Sequence, residues 1–151
     1  MQRIVLISCV ATKLDHPAPA KDLYVSDLFK KSMAYAKSLK PDKVFILSAK
    51  HHLMKLDTVI EPYDVTLSNV SPAARMKKPS LKVLNRIEKQ AWAKKVIAQL
   101  ENECDLEQHE IIALAGKSYL EYLAPHIRNL VQPLKGLRPG ERKRFLMDNT
   151  P

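Results

Sequence analysis

The chain has 151 residues, a formal net charge of +9 and 46% hydrophobic residues, which favours one domain (1–151) with its own core and excludes a disordered chain. Three glycines argue against a many-turned all-β fold, and no apolar run approaches the ~20 residues that span a bilayer. Cys9 and Cys104 lie far apart and form neither a disulfide framework nor a zinc pattern, and the N-terminus lacks a signal-peptide pattern, so a reducing, cytoplasmic setting is expected.

The first strand is read at Val5 to Ile7, an apolar run that ends abruptly in Ser8, Cys9, Thr12 and Lys13. In open α/β sheets, ligands bind beyond the carboxyl ends of strands, so this polar ending marks a site. Pro17 and Pro19 keep Thr12 to Tyr24 out of regular helix or central strand. Ser26 or Asp27 caps a helix to about Lys40, with Phe29, Met33, Ala36 and Leu39 at helical spacing. Lys43 to Ser48 is the second strand, again ending in a polar cluster, Ser48-Ala49-Lys50-His51-His52. A right-handed crossover places the two strand ends side by side.

Leu53 to Val70 reads as irregular, around Glu61-Pro62-Tyr63-Asp64. Ser71-Pro72 and Pro79-Ser80 are helix-start signals, and Leu81, Leu84, Ala91, Trp92, Val96 and Leu100 predict a long amphipathic helix over about 80–102. An acidic turn precedes a third strand at Glu110 to Ala115; a helix broken near Pro125 and a fourth strand at Leu130 to Leu134 follow. A short basic helix at Glu141 to Met147 closes the chain. The expected architecture is an α/β three-layer sandwich on a mostly parallel four-stranded sheet of order 2-1-3-4.

Basic charge is clustered. Arg75 to Lys95 holds eight Lys/Arg and one acid, and Lys135 to Arg144 five and one. Such clusters suit a nucleic acid, tracked by Lys82, Arg86, Lys89, Arg142 and Arg144; they equally describe the solvated face of a helix. Cys9 is either a packed thiol or, activated by Lys13, a nucleophile for a carbon electrophile. Lys13 and Lys50 each follow a strand end, where two amines suit an anionic group. His51 suits hydrogen bonding or acid/base work, since no further ligand at metal spacing accompanies His51-His52. Asp64 is the candidate general base, with Asp22 second. Tyr24 and Tyr63 either stack on a base or plug their loops onto the core. Gly116 opens the backbone to a ligand, while the missing glycine-rich motifs argue against a dinucleotide or ATP site. No metal or cofactor is expected.

Ser8-Cys9 with Thr12-Lys13, Pro17 to Ser26, Ile46 to His51, Pro62 to Leu67 and Ala115-Gly116 together resemble, nearly end to end, the bacterial and phage family known as domain of unknown function 6884. That family has glycine after Ala-Lys-His, where this chain has His52. The Cys9-x3-Lys13 spacing, Leu47-Ser48 and Tyr63-Asp64 are more distantly similar to the catalytic domain of archaeosine synthase, which implies that Cys9, Lys13 and Asp64 face a purine-like base. Ser8 to Leu14 is weakly similar to a segment of the peroxide-stress DNA-binding family. The resulting expectation is an enzyme acting on a nucleobase, nucleoside or nucleic-acid base, by N-glycosidic bond or base-modification chemistry. Its catalytic set would be Cys9, Lys13, Lys50, His51 and Asp64, and its binding set Ser8, Thr12, Tyr24, Ser48, Tyr63 and Gly116. The alternative is a non-catalytic DNA- or RNA-binding or stress-response module. A small-molecule nucleotide enzyme without a polymer partner is a third possibility.

Overall fold

The computed structural model describes residues 2–8, 13–68 and 70–151. The first half runs β1 (Arg3–Ser8), β2 (Ala18–Pro19), α1 (Ala20–Leu23), α2 (Asp27–Ser38), β3 (Lys43–Ser48), β4 (His52–Lys55), β5 (Val59–Ile60) and β6 (Val65–Thr66). The second runs α3 (Pro72–Lys77), β7 (Lys82–Val83), α4 (Arg86–Glu103), β8 (Glu110–Leu114), α5 (Lys117–Leu120), a 3-10 turn (Ala124–His126), β9 (Leu130–Val131) and α6 (Pro139–Asn149).

The centre of the molecule is β1, whose Ile4, Val5, Leu6 and Ile7 are all buried. Consecutive strand residues face opposite sides of a sheet, so an unbroken apolar run requires cover on both faces. β1 pairs in parallel with β3 (Leu6 opposite Phe45) and with β8 (Leu6 opposite Ala113). β9 adds in parallel beyond β8, and β4 adds antiparallel beyond β3, giving the order β4-β3-β1-β8-β9. The expected α/β fold and mostly parallel sheet are therefore present, with a fifth strand. The expected order 2-1-3-4 corresponds to β3-β1-β8-β9.

The extra strand corrects the reading of Leu53 onward as irregular. Leu53 and Met54 are buried and pair with Leu47 and Ile46. A three-residue loop separates Ser48 from its partner His52, which adopts φ +65°, the left-handed conformation that closes such hairpins.

The chain leaves β1 towards β3 through α2, and returns across β1 to β8 through α4. Right-handed crossovers in opposite directions put these helices on opposite faces of the sheet. α6 packs beside α2, with Tyr35 and Phe145 in an edge contact at 5.8 Å. α5 sits beside α4, where Trp92 and Tyr119 meet at 5.9 Å. Three layers result, as expected from the sequence.

Further boundaries differ from expectation: β9 ends at Val131 and α6 already begins at Pro139. The long helix begins at Arg86, not near Ser80, because Asn85 and Glu88 form a reciprocal capping box. Lys82 and Val83 instead pair in parallel with Val65 and Thr66. In the proline loop, Ala18–Pro19 pairs antiparallel with Val59–Ile60 at a two-stranded margin, where a proline is tolerated. No described helix is long and apolar enough to cross a membrane.

Candidate functional site

Connections from β1 and β8 leave in opposite directions, so the carboxyl ends of these two adjacent strands form the topological switch point of the sheet. Ligands in open α/β sheets bind in the crevice at such a point. A cavity of about 300 Å³ lies there, with Ser8 from the end of β1 and Gly116 from just beyond β8 in its wall. Its volume is at the lower end of the roughly 300–1,000 Å³ of small-molecule sites. Lys13, Asp64, Lys78 and Arg142 bring charge to it, and Thr66 and Ser68 bring hydroxyls. Leu28, Val65, Leu81 and Tyr119 supply apolar wall.

Asp64 follows Pro62-Tyr63 and precedes β6. Its carboxylate lies 2.9 Å from Lys78 Nζ and accepts a 3.0 Å hydrogen bond from Ser80 Oγ. The Lys78 hydrogen bond, helped by Ser80 and by the charge of Lys13, holds the Asp64 pKa below its ordinary value, against a smaller opposing effect of burial. The group is thus an ionised carboxylate at neutral pH, better suited to stabilising positive charge or orienting water than to abstracting a proton.

Behind the cavity runs a chain of buried hydroxyls. Tyr24 and Tyr63 share a hydrogen bond between their hydroxyls, and Tyr63 pairs with Ser48 Oγ at 2.7 Å. Ser48 Oγ also accepts from the His51 backbone N–H at 3.0 Å, and its carbonyl accepts from Trp92 Nε1 at 2.8 Å. Lys13 bridges to Tyr24 through its backbone and holds its ammonium 4.5 Å from the centre of the Tyr63 ring. At this distance the ring face attracts the cation. Tyr24, Tyr63 and Ser48 thus form a rigid buttress for Lys13, and Tyr63 sets the position of its neighbour Asp64.

Of the residues singled out in the sequence, Ser8, Lys13, Asp64, Gly116 and Arg142 meet at the cavity. Cys9 and Thr12 lie outside the described residues. Lys50 stands exposed on the β3–β4 turn, and neither it nor His51 lines the cavity. His51 packs its ring edge-on against Tyr63 at 5.3 Å, where burial and then the charge of Lys50 push its pKa down. Lys82 pairs with Glu88 at 2.8 Å, Lys89 is half-buried, and Arg86 and Arg144 are exposed.

In the sequence Arg142 groups with the basic tail; its place in the wall depends on α6 packing against α2. Lys78, Ser80, Thr66, Ser68 and Tyr119 were not recognised as site residues at all. The one available signal was the absence of any acid between Val65 and Ile87, a stretch carrying Arg75, Lys77, Lys78, Lys82 and Arg86 just after Asp64. Gly116 has φ −79°, open to any residue, and the space beside it is occupied by the Arg142 guanidinium, 3.4 Å from where a Cβ would stand. Among the described residues no group of three or more His, Cys, Asp or Glu is placed to hold a metal ion.

A family model described as a family of unknown function, DUF6884, matches residues 4–148. The chain belongs to this family. The match runs from β1 into α6, so both ends of this family member's cavity wall, Ser8 and Arg142, fall within it. No curated protein matches the chain.

Proposed function

We propose that this chain is an enzyme acting on the base of a nucleoside, nucleotide or nucleic acid, with the switch-point cavity as its active site. The observation that carries this reading is the meeting of an ionised carboxylate, Asp64, with ammonium groups and an apolar wall in one small cavity. Such a set suits N-glycosidic cleavage. As the bond from the sugar to the base breaks, the electron pair leaves with the base and positive charge grows on the sugar. Asp64 stabilises that charge, and the Lys13 or Lys78 ammonium supplies the proton that the departing base takes up. Water adds to the sugar carbon and returns a proton to the amine or to solvent. Base modification is the alternative chemistry suggested by the sequence, in which the Cys9 thiolate adds to a C=N carbon of the base and the displaced electron pair on the ring nitrogen takes up a proton. A base within a duplex would have to be flipped out to enter. A reducing, cytoplasmic setting suits the two cysteines.

The test is incubation of the protein with nucleosides, their 5′-monophosphates and single- and double-stranded oligonucleotides, followed by mass spectrometry for free base or altered base mass. Base release is expected, with Asp64→Asn slowing it by roughly 10²–10³-fold. Absence of any base release or mass change with all these substrates, or an unchanged rate in Asp64→Asn, would overturn the reading.

A further inference from the structure

Among the described residues, the cavity is lined by three cationic side chains, Lys13, Lys78 and Arg142, against one carboxylate, Asp64. Two of the three cations are already engaged. Lys78 is neutralised by Asp64 at 2.9 Å, and the Lys13 ammonium lies over the Tyr63 ring. Arg142 is arranged differently. Its Nε donates to the Leu137 carbonyl at 2.9 Å, which fixes the plane of the guanidinium. Nη1 and Nη2 then lie beside Gly116, 3.4 and 3.7 Å from the position a Cβ would take there. Among the described residues no carboxylate lies within salt-bridge distance of Arg142, although the side chain is half-buried. A guanidinium withdrawn partly from water and held by its Nε presents a two-pronged donor to whatever enters. That is the geometry in which arginine recognises phosphate oxygens.

We infer that Arg142 is a phosphate-binding residue and that the cavity takes a nucleotide rather than a neutral nucleoside. This rests on the nucleobase reading of the same site. A neutral nucleoside would offer no counter-charge to the Arg142 guanidinium, whereas a phosphate offsets that charge and engages its two terminal nitrogens. Asp64 stands on the β6 side of the cavity and Arg142 on the α6 side, so a ligand touching both is held at two separated points. The phosphate belongs either to a free nucleotide or to one within a polynucleotide.

Isothermal titration calorimetry with 5′-nucleoside monophosphates, the matching nucleosides, inorganic phosphate and a short single-stranded oligonucleotide tests this. At least one monophosphate is expected to bind about tenfold or more tightly than its nucleoside, with an advantage that shrinks as salt rises. Arg142→Gln is expected to reduce that ratio to below about threefold, and Arg142→Lys, which keeps the charge but loses the fork, to an intermediate value. Thermal unfolding of both variants checks that they fold; if Arg142→Gln does not, Arg142→Lys alone decides. Tighter binding of the oligonucleotide than of any monophosphate assigns the phosphate to a polymer, and the reverse assigns it to a free nucleotide. Equal affinity for nucleoside and monophosphate, a preference untouched in the folded variants, or no binding of any phosphate probe overturns the inference. Nucleoside binding without phosphate preference leaves the proposed reaction standing, whereas monophosphate binding without base release or modification overturns the reaction and keeps the phosphate site.

Discussion

Tyr63 sits between two hydroxyls, and its own hydroxyl is the middle link of the chain from Tyr24 to Ser48. Tyr63→Phe keeps the ring under Lys13 but removes one hydrogen bond from each of the buried Tyr24 and Ser48 hydroxyls. A loss of about 1–3 kcal/mol in urea-unfolding stability is expected. A change near zero would mean that Tyr24 and Ser48 find other partners. The residue types of this site were legible in the sequence, since hydroxyls, amines and a carboxylate follow strand ends and a proline-tyrosine pair. Their roles were not. Tyr24 and Tyr63, considered for stacking on a base, are buried against each other, and Asp64, considered as a general base, is held ionised by Lys78. Nothing local to Asp64 announces a lysine fourteen positions later, because the two meet only after β6 and β7 pair.

At the scale of elements, local signals competed and tertiary contacts decided between them. Ser80 is an acceptable helix cap by type, but its hydroxyl is directed to Asp64, and the helix starts instead at the capping box of Asn85 and Glu88. The β3–β4 hairpin was missed because its loop ends on His52, where a glycine would have marked the turn. A non-glycine residue at φ +65° is strained by roughly 1–2 kcal/mol, partly offset by the lower backbone freedom it has in the unfolded chain. His52→Gly is therefore expected to stabilise the protein by up to about 1 kcal/mol, visible as a rise in Tm. A fall in Tm would show that the half-buried imidazole contributes more by packing than its backbone costs.

At the scale of the whole molecule, the basic charge divides between the cavity and the outer surface. Arg142 belongs to the cavity, whereas Lys82, Arg86 and Lys89 lie along β7 and the first turn of α4. Affinity for a short single-stranded oligonucleotide is expected to fall with rising salt. Alanine at Lys82, Arg86 and Lys89 together is expected to reduce the slope of log affinity against log salt by about 1–2, fewer than three charges because Lys82 already pairs with Glu88. An unchanged slope would place the polymer contact elsewhere, for instance at the exposed Arg75 and Lys77 of α3.

By itself the sequence determined the α/β class, the buried parallel strands and the central place of the first strand. Unbroken apolar runs separated by helical periodicity allow little else, and the serines that end the first two runs mark the carboxyl ends of β1 and β3. Only the tertiary structure decided which polar groups share the cavity. Ser8, Asp64, Lys78, Gly116 and Arg142 come from segments spread across the whole chain, and their meeting is set by crossover handedness and by the packing of α6 on α2. Side-chain convergence over such separations leaves no local trace, because each residue's neighbours in sequence serve the strand, turn or helix that carries it.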